Sequence, residues 1–252
     1  MSIVHSKIEV DRFLATDLPE VLVIAGNWGV GKTYAWKRYL SSAYADQQVA
    51  LKKYAYVSLF GLSSLKEVKD AIFQNSVLME ASGRSPDFST FEAGLTTIKS
   101  NWRSGGAWAA MLPASKSYAT IVASMGFFSL KEQIICIDDL ERRGASIDIR
   151  DVLGLVSQLK EEKACKVVLL LNDRELGKDE AQYQSQLEKV ADTLIRFEPT
   201  AEEATTIGLD GSQQFHEFLK TNCVALNIVN IRTVKKWNDL PFDYLKILRV
   251  SI

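Results

Sequence analysis

The sequence predicts an α/β fold in which helices cover a central parallel sheet. The first indication is a set of short apolar runs, spread along the 252 residues and separated by segments with helical periodicity. Continuous apolar runs are typical of parallel strands, because both faces of such a sheet are buried. The second indication is a glycine-rich segment between the first run and the helical segment after it, a feature of doubly wound folds. With 47% hydrophobic residues, the chain can bury a sizeable core.

The predicted strands alternate with predicted helices. Ser64 and Glu67 form an S-x-x-E capping box for a helix that we expect to reach about Met79. Asp148 should cap the helix that follows the third strand. The strands are expected at residues 21–25, 54–60, 134–137, 166–171 and 193–197.

We divide the chain into a core at residues 1–199 and a small helical lid at 200–252. Thr200 and Glu203 make a second capping box, which should begin the lid. Inside the core, residues 82–130 are expected to form a helical insertion. Its most apolar part, 107–128, is long enough for a membrane span, but it contains a proline, a lysine and several serines. We therefore expect no membrane span.

The glycine-rich segment matches G-x-x-x-x-G-K-[ST], the phosphate-binding P-loop. The glycines allow backbone N–H groups to turn toward phosphate oxygens at the N-terminus of the following helix. Lys32 should supply the charge for the β- and γ-phosphates, and Thr33 a hydroxyl for Mg²⁺. The predicted nucleotide-binding residues are Gly26, Asn27, Trp28, Gly29, Val30, Gly31, Lys32, Thr33 and Tyr34.

Two carboxylates follow the third predicted strand, at the edge where ligands of open α/β sheets bind. Asp138 is placed to hold Mg²⁺, together with Thr33. Asp139 is placed to orient or deprotonate the attacking water, and Glu141 is the second candidate for this role. The alternative is a plain turn whose aspartates cap a helix.

Four further polar residues are candidates for contact with a nucleotide, each with a structural alternative. Asn172, after the fourth strand, can bind the attacking water or the γ-phosphate, or it can form an Asx turn. Arg142 and its neighbour Arg143 can act as arginine fingers on another subunit of a homo-oligomer, or form surface ion pairs. Arg232 can reach over the nucleotide from the lid, or belong to a solvated basic face.

Composition excludes several other classes of function. The net charge is −1, so no overall basic field attracts nucleic acid. The three cysteines are far apart and show neither metal-ligand nor disulfide spacing; we expect Cys136 and Cys165 to be buried and the cytoplasm to be the compartment. His5 and His216 have no partners at ligand spacing, and both are expected at the surface.

The assembled pattern resembles the KAP family of P-loop NTPases, which is related to the STAND and AAA+ ATPases. Three segments carry the resemblance: the P-loop with tryptophan before its central glycine, Ile137–Arg142, and Asn230-Ile231-Arg232 with Lys235. The family usually has Asp-Leu-Asp-Arg where this chain has Asp-Leu-Glu-Arg, and it often carries transmembrane helices where the more polar insertion lies here. The resemblance implies a sheet order of 5-1-4-3-2 and bacterial roles in phage defence or signalling.

These features predict Mg²⁺-dependent ATP hydrolysis that drives a conformational or assembly change. A nucleotide-gated binding module with negligible turnover would use the same residues. A motor stimulated by nucleic acid is less favoured, because no basic and aromatic stripe is present. Large aromatic residues in the insertion are typical of protein interfaces, so we expect the insertion or the lid to bind an effector protein or a further domain.

Overall fold

The computed structural model describes residues 3–79, 130–177, 180–209 and 216–238. Nearly all of the expected insertion, 82–129, lies outside these residues, as does the end of the lid after residue 238. The expected helical nature of the insertion and its proposed partner are therefore predictions that the described residues do not test.

A six-stranded sheet forms the centre of the molecule, in the order β3-β2-β4-β5-β1-β6. Five strands pair in parallel, while the short β3 pairs antiparallel with β2 at one edge. The order of the five predicted strands, 5-1-4-3-2, is thereby confirmed, with β3 as an addition. The strands are β1 (Val21–Ala25), β2 (Lys53–Ser58), β3 (Val77–Leu78), β4 (Ile134–Asp138), β5 (Lys166–Leu171) and β6 (Thr193–Arg196).

Eight α-helices lie within the described residues, and two short 3₁₀ turns, Leu140–Arg142 and Asp173–Glu175, follow β4 and β5. The helices are α1 (Ile3–Leu14), α2 (Lys32–Ala45), α3 (Leu65–Gln74), α4 (Ile149–Glu161), α5 (Glu180–Val190), α6 (Ala201–Gly208), α7 (His216–Ala225) and α8 (Ile231–Asn238).

Apolar residues on the two faces of the sheet form two separate cores. In β1, Val21 and Val23 belong to the core that contains α3, α4 and α5, while Leu22 and Ile24 belong to the core with α1 and α2. This alternation along a fully buried strand is what a three-layer α/β arrangement requires. Cys136 and Cys165 are buried, as predicted.

The parallel register brings the carboxyl ends of the strands to one edge of the sheet. Ala25 lies beside Leu171 and Arg196, and Ser58 lies beside Asp138. The P-loop, the acidic segment and the segment after β5 all begin at this edge, because each follows one of these strands.

All three predicted N-caps are present, but the expected capping box at Ser64 forms only in part, because Glu67 Oε2 accepts from the Ser63 N–H at 2.8 Å rather than from the Ser64 N–H. The Ser64 side chain accepts from the Glu67 N–H, Asp148 accepts from the Arg150 N–H, and Thr200 with Glu203 forms a full capping box. The lid helices α6 and α8 approach so closely that a Cβ built on Gly208 would lie 2.5 Å from Val234 Cγ1. No helix in the described ranges is both long and apolar enough to cross a membrane.

Two sequence-based expectations are wrong. The helix that begins at Leu65 ends at Gln74 rather than near Met79, since the chain turns at Asn75 and pairs with the edge of β2. The Asn75 side chain donates to Tyr56 O at 2.8 Å and fixes this turn. His216 is buried rather than exposed, and its Nε2 lies 2.5 Å from Asn238 Oδ1 in the lid.

Candidate nucleotide-binding site

The P-loop has the backbone shape that its glycines make possible. Gly29 and Gly31 have φ values of 78° and 93°, in the left-handed region where other residues are strained. Gly31 is immediately followed by α2, so the loop presents the N-terminus of a 14-residue helix. A helix N-terminus of this kind attracts anions through its free N–H groups and its dipole.

Lys32 lies beneath this loop. Its Nζ donates to Gly26 O at 2.7 Å and Asn27 O at 3.0 Å, and the side chain is buried. Burial lowers the pKa of the Lys32 amine below its ordinary value, while the charges of nearby carboxylates, first Glu141, oppose that shift. The amine is therefore poorly hydrated and held at the loop, where a phosphate would be a strong partner.

Asp138, at the end of β4, accepts three hydrogen bonds. Its Oδ2 receives the Thr33 and Tyr56 hydroxyls, both at 2.7 Å, and its Oδ1 receives the Asp139 N–H at 2.8 Å. Burial, and then the charge of Asp139, raise the pKa of the Asp138 carboxyl. A divalent cation would relieve this unfavourable buried charge, and a hydroxyl beside a carboxylate is a donor set that suits Mg²⁺. The residues present therefore fit a magnesium ion that is also bound by phosphates.

Asp139 begins the acidic loop in a left-handed conformation, with a φ of 59°. Its Oδ2 accepts from Ser58 Oγ at 2.6 Å, and its Oδ1 lies 3.5 Å from Arg142 Nη1. Arg142 also stacks on Phe60, with its guanidinium carbon 3.8 Å from the ring centre. Arg143 instead donates to the carbonyls of Ile147 and Leu140 and holds its own loop.

Glu141 lies two residues further along and contacts the P-loop. Its Oε1 accepts from the Trp28 indole Nε1 at 2.6 Å, although the two residues are 113 positions apart. Its Oε2 is buried and has no hydrogen-bond partner among the described residues. One carboxylate oxygen is thus fixed, and the other is available to a ligand.

Asn172, directly after β5, is buried and its Oδ1 has no hydrogen-bond partner in the described part of the chain. Because β5 lies between β1 and β4, this amide is placed between the P-loop strand and the acidic strand. The next residue, Asp173, forms a salt bridge of 2.8 Å with Arg196.

The lid binds the P-loop directly. Asn230 Nδ2 donates to Trp28 O at 3.2 Å, and the Ile231 N–H donates to Gly29 O at 2.8 Å. A Cβ at Gly29 would lie 2.3 Å from the Asn230 side chain, and one at Gly31 would lie 2.6 Å from Ile231 Cδ1. A side chain at either glycine would therefore collide with the lid, in addition to straining the backbone of the loop.

A cavity of about 420 Å³ joins these groups. It brings together the P-loop, the acidic loop and the lid helix α8, so most of the predicted site residues meet in one place. Gly26, Asn27, Val30, Arg142 and Asn172 are not among the residues that line it. The lining residues are Trp28, Gly29, Gly31, Lys32, Thr33, Tyr34, Lys37, Asp138, Asp139, Glu141, Ile231, Arg232 and Lys235.

Sequence reasoning gave no role at the site to Tyr56, Ser58 and Lys37, and it named Lys235 only as part of the KAP resemblance. Tyr56 and Ser58 bind the two aspartates, and Lys37 and Lys235 line the cavity. A signal for the first two existed: the predicted sheet order places β2 beside the acidic strand, so polar side chains near its end should reach Asp138 and Asp139. A signal for Lys37 existed as well: it lies one turn after Thr33 on the same helix, so its side chain should be on the same face as the Thr33 hydroxyl.

A sequence model of the KAP family P-loop domain matches residues 11–197. The match covers the sheet, the P-loop and the acidic loop. This chain belongs to the KAP family. No curated protein matches the sequence.

Solved structures with a similar fold include ORC and Cdc6 proteins. The Aeropyrum pernix ORC2 protein, in its ADPNP-ADP complexes, is 15% identical, with a TM-score of 0.50 over 87% of this chain and 55% of that one. Cdc6p from Pyrobaculum aerophilum is 14% identical, with a TM-score of 0.49 over 92% and 58% of the two chains. Drosophila ORC bound to DNA is 12% identical, with a TM-score of 0.46 over 93% and 52%.

At these identities the likeness concerns the fold alone, and the KAP chain spans little more than half the length of each of these structures. Within the described ranges, no group of three or more histidine, cysteine or carboxylate residues is arranged to hold a metal ion by itself.

Proposed function

We propose that this KAP chain binds Mg²⁺-ATP in the cavity and hydrolyses its γ-phosphate. The observation that carries the proposal is the meeting of Lys32, Thr33 and Asp138 under the glycine loop, with Thr33 Oγ1 2.7 Å from Asp138 Oδ2. This combination provides a cradle of N–H groups, a cation and a hydroxyl–carboxylate pair in one buried place. Phosphoryl transfer is catalysed mainly by such positioning and charge stabilisation.

Each residue has a separate part in this proposal. Lys32 would leave the loop carbonyls and bind the β- and γ-phosphates, whose charge compensates for its burial. Thr33 and Asp138 would hold Mg²⁺, which when bound neutralises charge that develops on the phosphate oxygens. Tyr56 is a fixed hydroxyl donor to Asp138, since burial raises the pKa of its phenol and keeps it protonated.

The water that attacks the γ-phosphate needs a group to orient it. Asp139 and Glu141 both line the cavity and are the candidate bases, and Asn172 has a buried amide oxygen with capacity to bind a ligand at the same edge. The trans role of Arg142 as an arginine finger requires a homo-oligomer. Its side chain is 42% exposed, which is compatible with contact to another subunit.

The lid is the part of the molecule that would respond to the nucleotide. Arg232 and Lys235 line the same cavity as the P-loop lysine, from α8. The P-loop carbonyls of Trp28 and Gly29 are bound by the same helix, so a change in the loop reaches the lid through hydrogen bonds. We propose that ATP state sets the position of α8, and that this position is the output of the switch.

The alternative is a nucleotide-gated binding module with negligible turnover. One observation favours it: both candidate bases are engaged, Asp139 with Ser58 and Glu141 with Trp28. A carboxylate oxygen that already accepts a hydrogen bond is a weaker proton acceptor, so this engagement would slow turnover. A bacterial role in phage defence or signalling, through an effector protein, is the wider setting that we propose from KAP membership.

Steady-state phosphate release from Mg²⁺-ATP, with and without added DNA or RNA, tests the proposal. We expect release by the wild-type protein, none by Lys32→Ala, and no stimulation by nucleic acid. Lys66→Ala is the matched control, because Lys66 is exposed on α3 and pairs with Asp70. Binding of ATP without phosphate release would favour the binding module, and stimulation by DNA or RNA would favour a nucleic-acid motor.

A further inference from the structure

The two carboxylates that line the cavity after Asp138 differ in their remaining hydrogen-bonding capacity. Both oxygens of Asp139 face cationic or hydroxyl partners, Arg142 at 3.5 Å and Ser58 at 2.6 Å. Glu141 uses only Oε1, which accepts from Trp28 Nε1 at 2.6 Å. Its Oε2 is buried without a partner in the described residues. A buried carboxylate oxygen without a donor is unfavourable, and it marks a place where a ligand or water is expected to bind.

Glu141 also shares the cavity with the P-loop lysine. Lys32, Asp139 and Glu141 all line it, so a γ-phosphate bound by the Lys32 amine would lie in the space that both candidate bases border. Of these two bases, only Glu141 has a buried carboxylate oxygen without a partner in the described residues.

We propose that Glu141 is the proton acceptor for the attacking water, and that Trp28 is the positioning residue that holds it in place through the indole N–H. The inference rests on the proposed ATP hydrolysis and assigns the base within it. Asp139 then acts by orienting the loop through Ser58 and Arg142.

The water oxygen bonds to the γ-phosphorus while the bond from that phosphorus to the β–γ bridging oxygen breaks, and the bridging oxygen keeps the electron pair as part of ADP. One proton of the water passes to Glu141 Oε2 and later to solvent. The products are ADP and inorganic phosphate.

Packing does not explain the position of Trp28. Its side chain is 49% exposed, which is unusual for the largest apolar residue in a loop of small residues. Its one described side-chain hydrogen bond goes to Glu141, while its backbone carbonyl is bound by Asn230. Trp28 thereby links the acidic loop, through its indole, to the lid, through its backbone carbonyl.

Single-turnover hydrolysis at saturating Mg²⁺-ATP, measured beside the ATP dissociation constant, tests the assignment. Trp28→Phe keeps an aromatic ring but removes the donor, so we expect the hydrolysis rate to fall about tenfold while the dissociation constant changes by less than about threefold. Glu141→Gln should lower the rate by at least about a hundredfold and leave ATP bound. The double variant should be no slower than Glu141→Gln, because Trp28 acts through Glu141.

Two comparisons serve as controls. Trp36→Phe also removes an indole hydrogen bond, to Tyr54 at 3.0 Å, but in the core under α2, away from the cavity. It should lower the melting temperature and leave the hydrolysis rate unchanged. Ser58→Ala removes the hydroxyl partner of Asp139, and it should reduce the rate less than Trp28→Phe does.

A normal rate in Trp28→Phe would overturn the inference. So would a further loss in the double variant, or an inactive Asp139→Asn beside an active Glu141→Gln. If the wild-type protein binds ATP and never cleaves it, the proposed hydrolysis itself fails, and the inference falls with it. The two failures can be told apart. The three variant outcomes are measured only if the wild-type protein hydrolyses ATP, whereas failure of the proposed function is seen in the wild-type protein alone.

Discussion

Asn230 is the residue whose replacement should loosen the lid most clearly. Its Nδ2 donates to Trp28 O in the P-loop, and its Oδ1 accepts from the Thr233 N–H and caps α8. Asn230→Ser keeps a capping oxygen and loses the bond to the P-loop, which is worth about 1 kcal/mol net. Asn230→Ala loses the cap too, which costs about another 1 kcal/mol. The docked lid should therefore be weakened about fivefold in the first variant and about thirtyfold in the second.

Hydrogen exchange of the backbone amides at 235–238, in the last turn of α8, measures this loss. We expect the protection factors of these amides to fall about fivefold in Asn230→Ser and about thirtyfold in Asn230→Ala. These amides exchange when α8 leaves the P-loop and unwinds. Asn222→Ser is the matched control: it removes an amide bond to Phe218 O inside α7 and should leave α8 unchanged. If Asn230→Ser exchanges like the wild type and only Asn230→Ala is faster, then the cap matters and the link from P-loop to lid is refuted.

Two further predictions concern the acidic loop. Asp138→Asn should weaken Mg²⁺-dependent ATP binding by at least about tenfold. The same variant should have a higher melting temperature than the wild type at pH 8, when both proteins are free of nucleotide and metal. The reason is that burial raises the pKa of Asp138 and disfavours its ionised form. That gain should shrink as the pH falls and Asp138 in the wild type becomes protonated; a variant less stable than the wild type at pH 8 would contradict the reasoning. If Arg142 acts across subunits, Arg142→Ala should bind ATP normally and lose ATPase activity. Mixing this variant with Lys32→Ala should then restore part of the ATPase activity. A wild-type protein that is monomeric by light scattering and fully active in the ATPase assay would refute this role.

The fold was largely predictable because its main determinants are local. Buried runs such as 166–171 define strands, and capping residues such as Thr200 fix where helices begin. The edge strand Val77–Leu78 was not predictable from its own residues, since the helical pattern continues through it. Pairing with β2 decided its structure, and that is a tertiary interaction.

The site was predictable where a motif places backbone and side chains together. The P-loop and Asp138 meet as their strand positions imply. The contact between Trp28 and Glu141 was not predictable, because it joins two loops 113 positions apart whose side-chain directions depend on the folded loops. The burial of His216 depends likewise on its contact with Asn238 across the lid.

Titration calorimetry of Mg²⁺-ATP into the wild-type protein and Lys32→Ala tests the central claim most directly. Lys32 is the buried cation of the P-loop, with its amine 2.7 Å from Gly26 O. We predict saturable binding of one ATP per chain by the wild type, and an affinity at least about tenfold weaker in Lys32→Ala, with both proteins folded by circular dichroism. Equal affinity in the two folded proteins would contradict the proposal that this cavity is a nucleotide site.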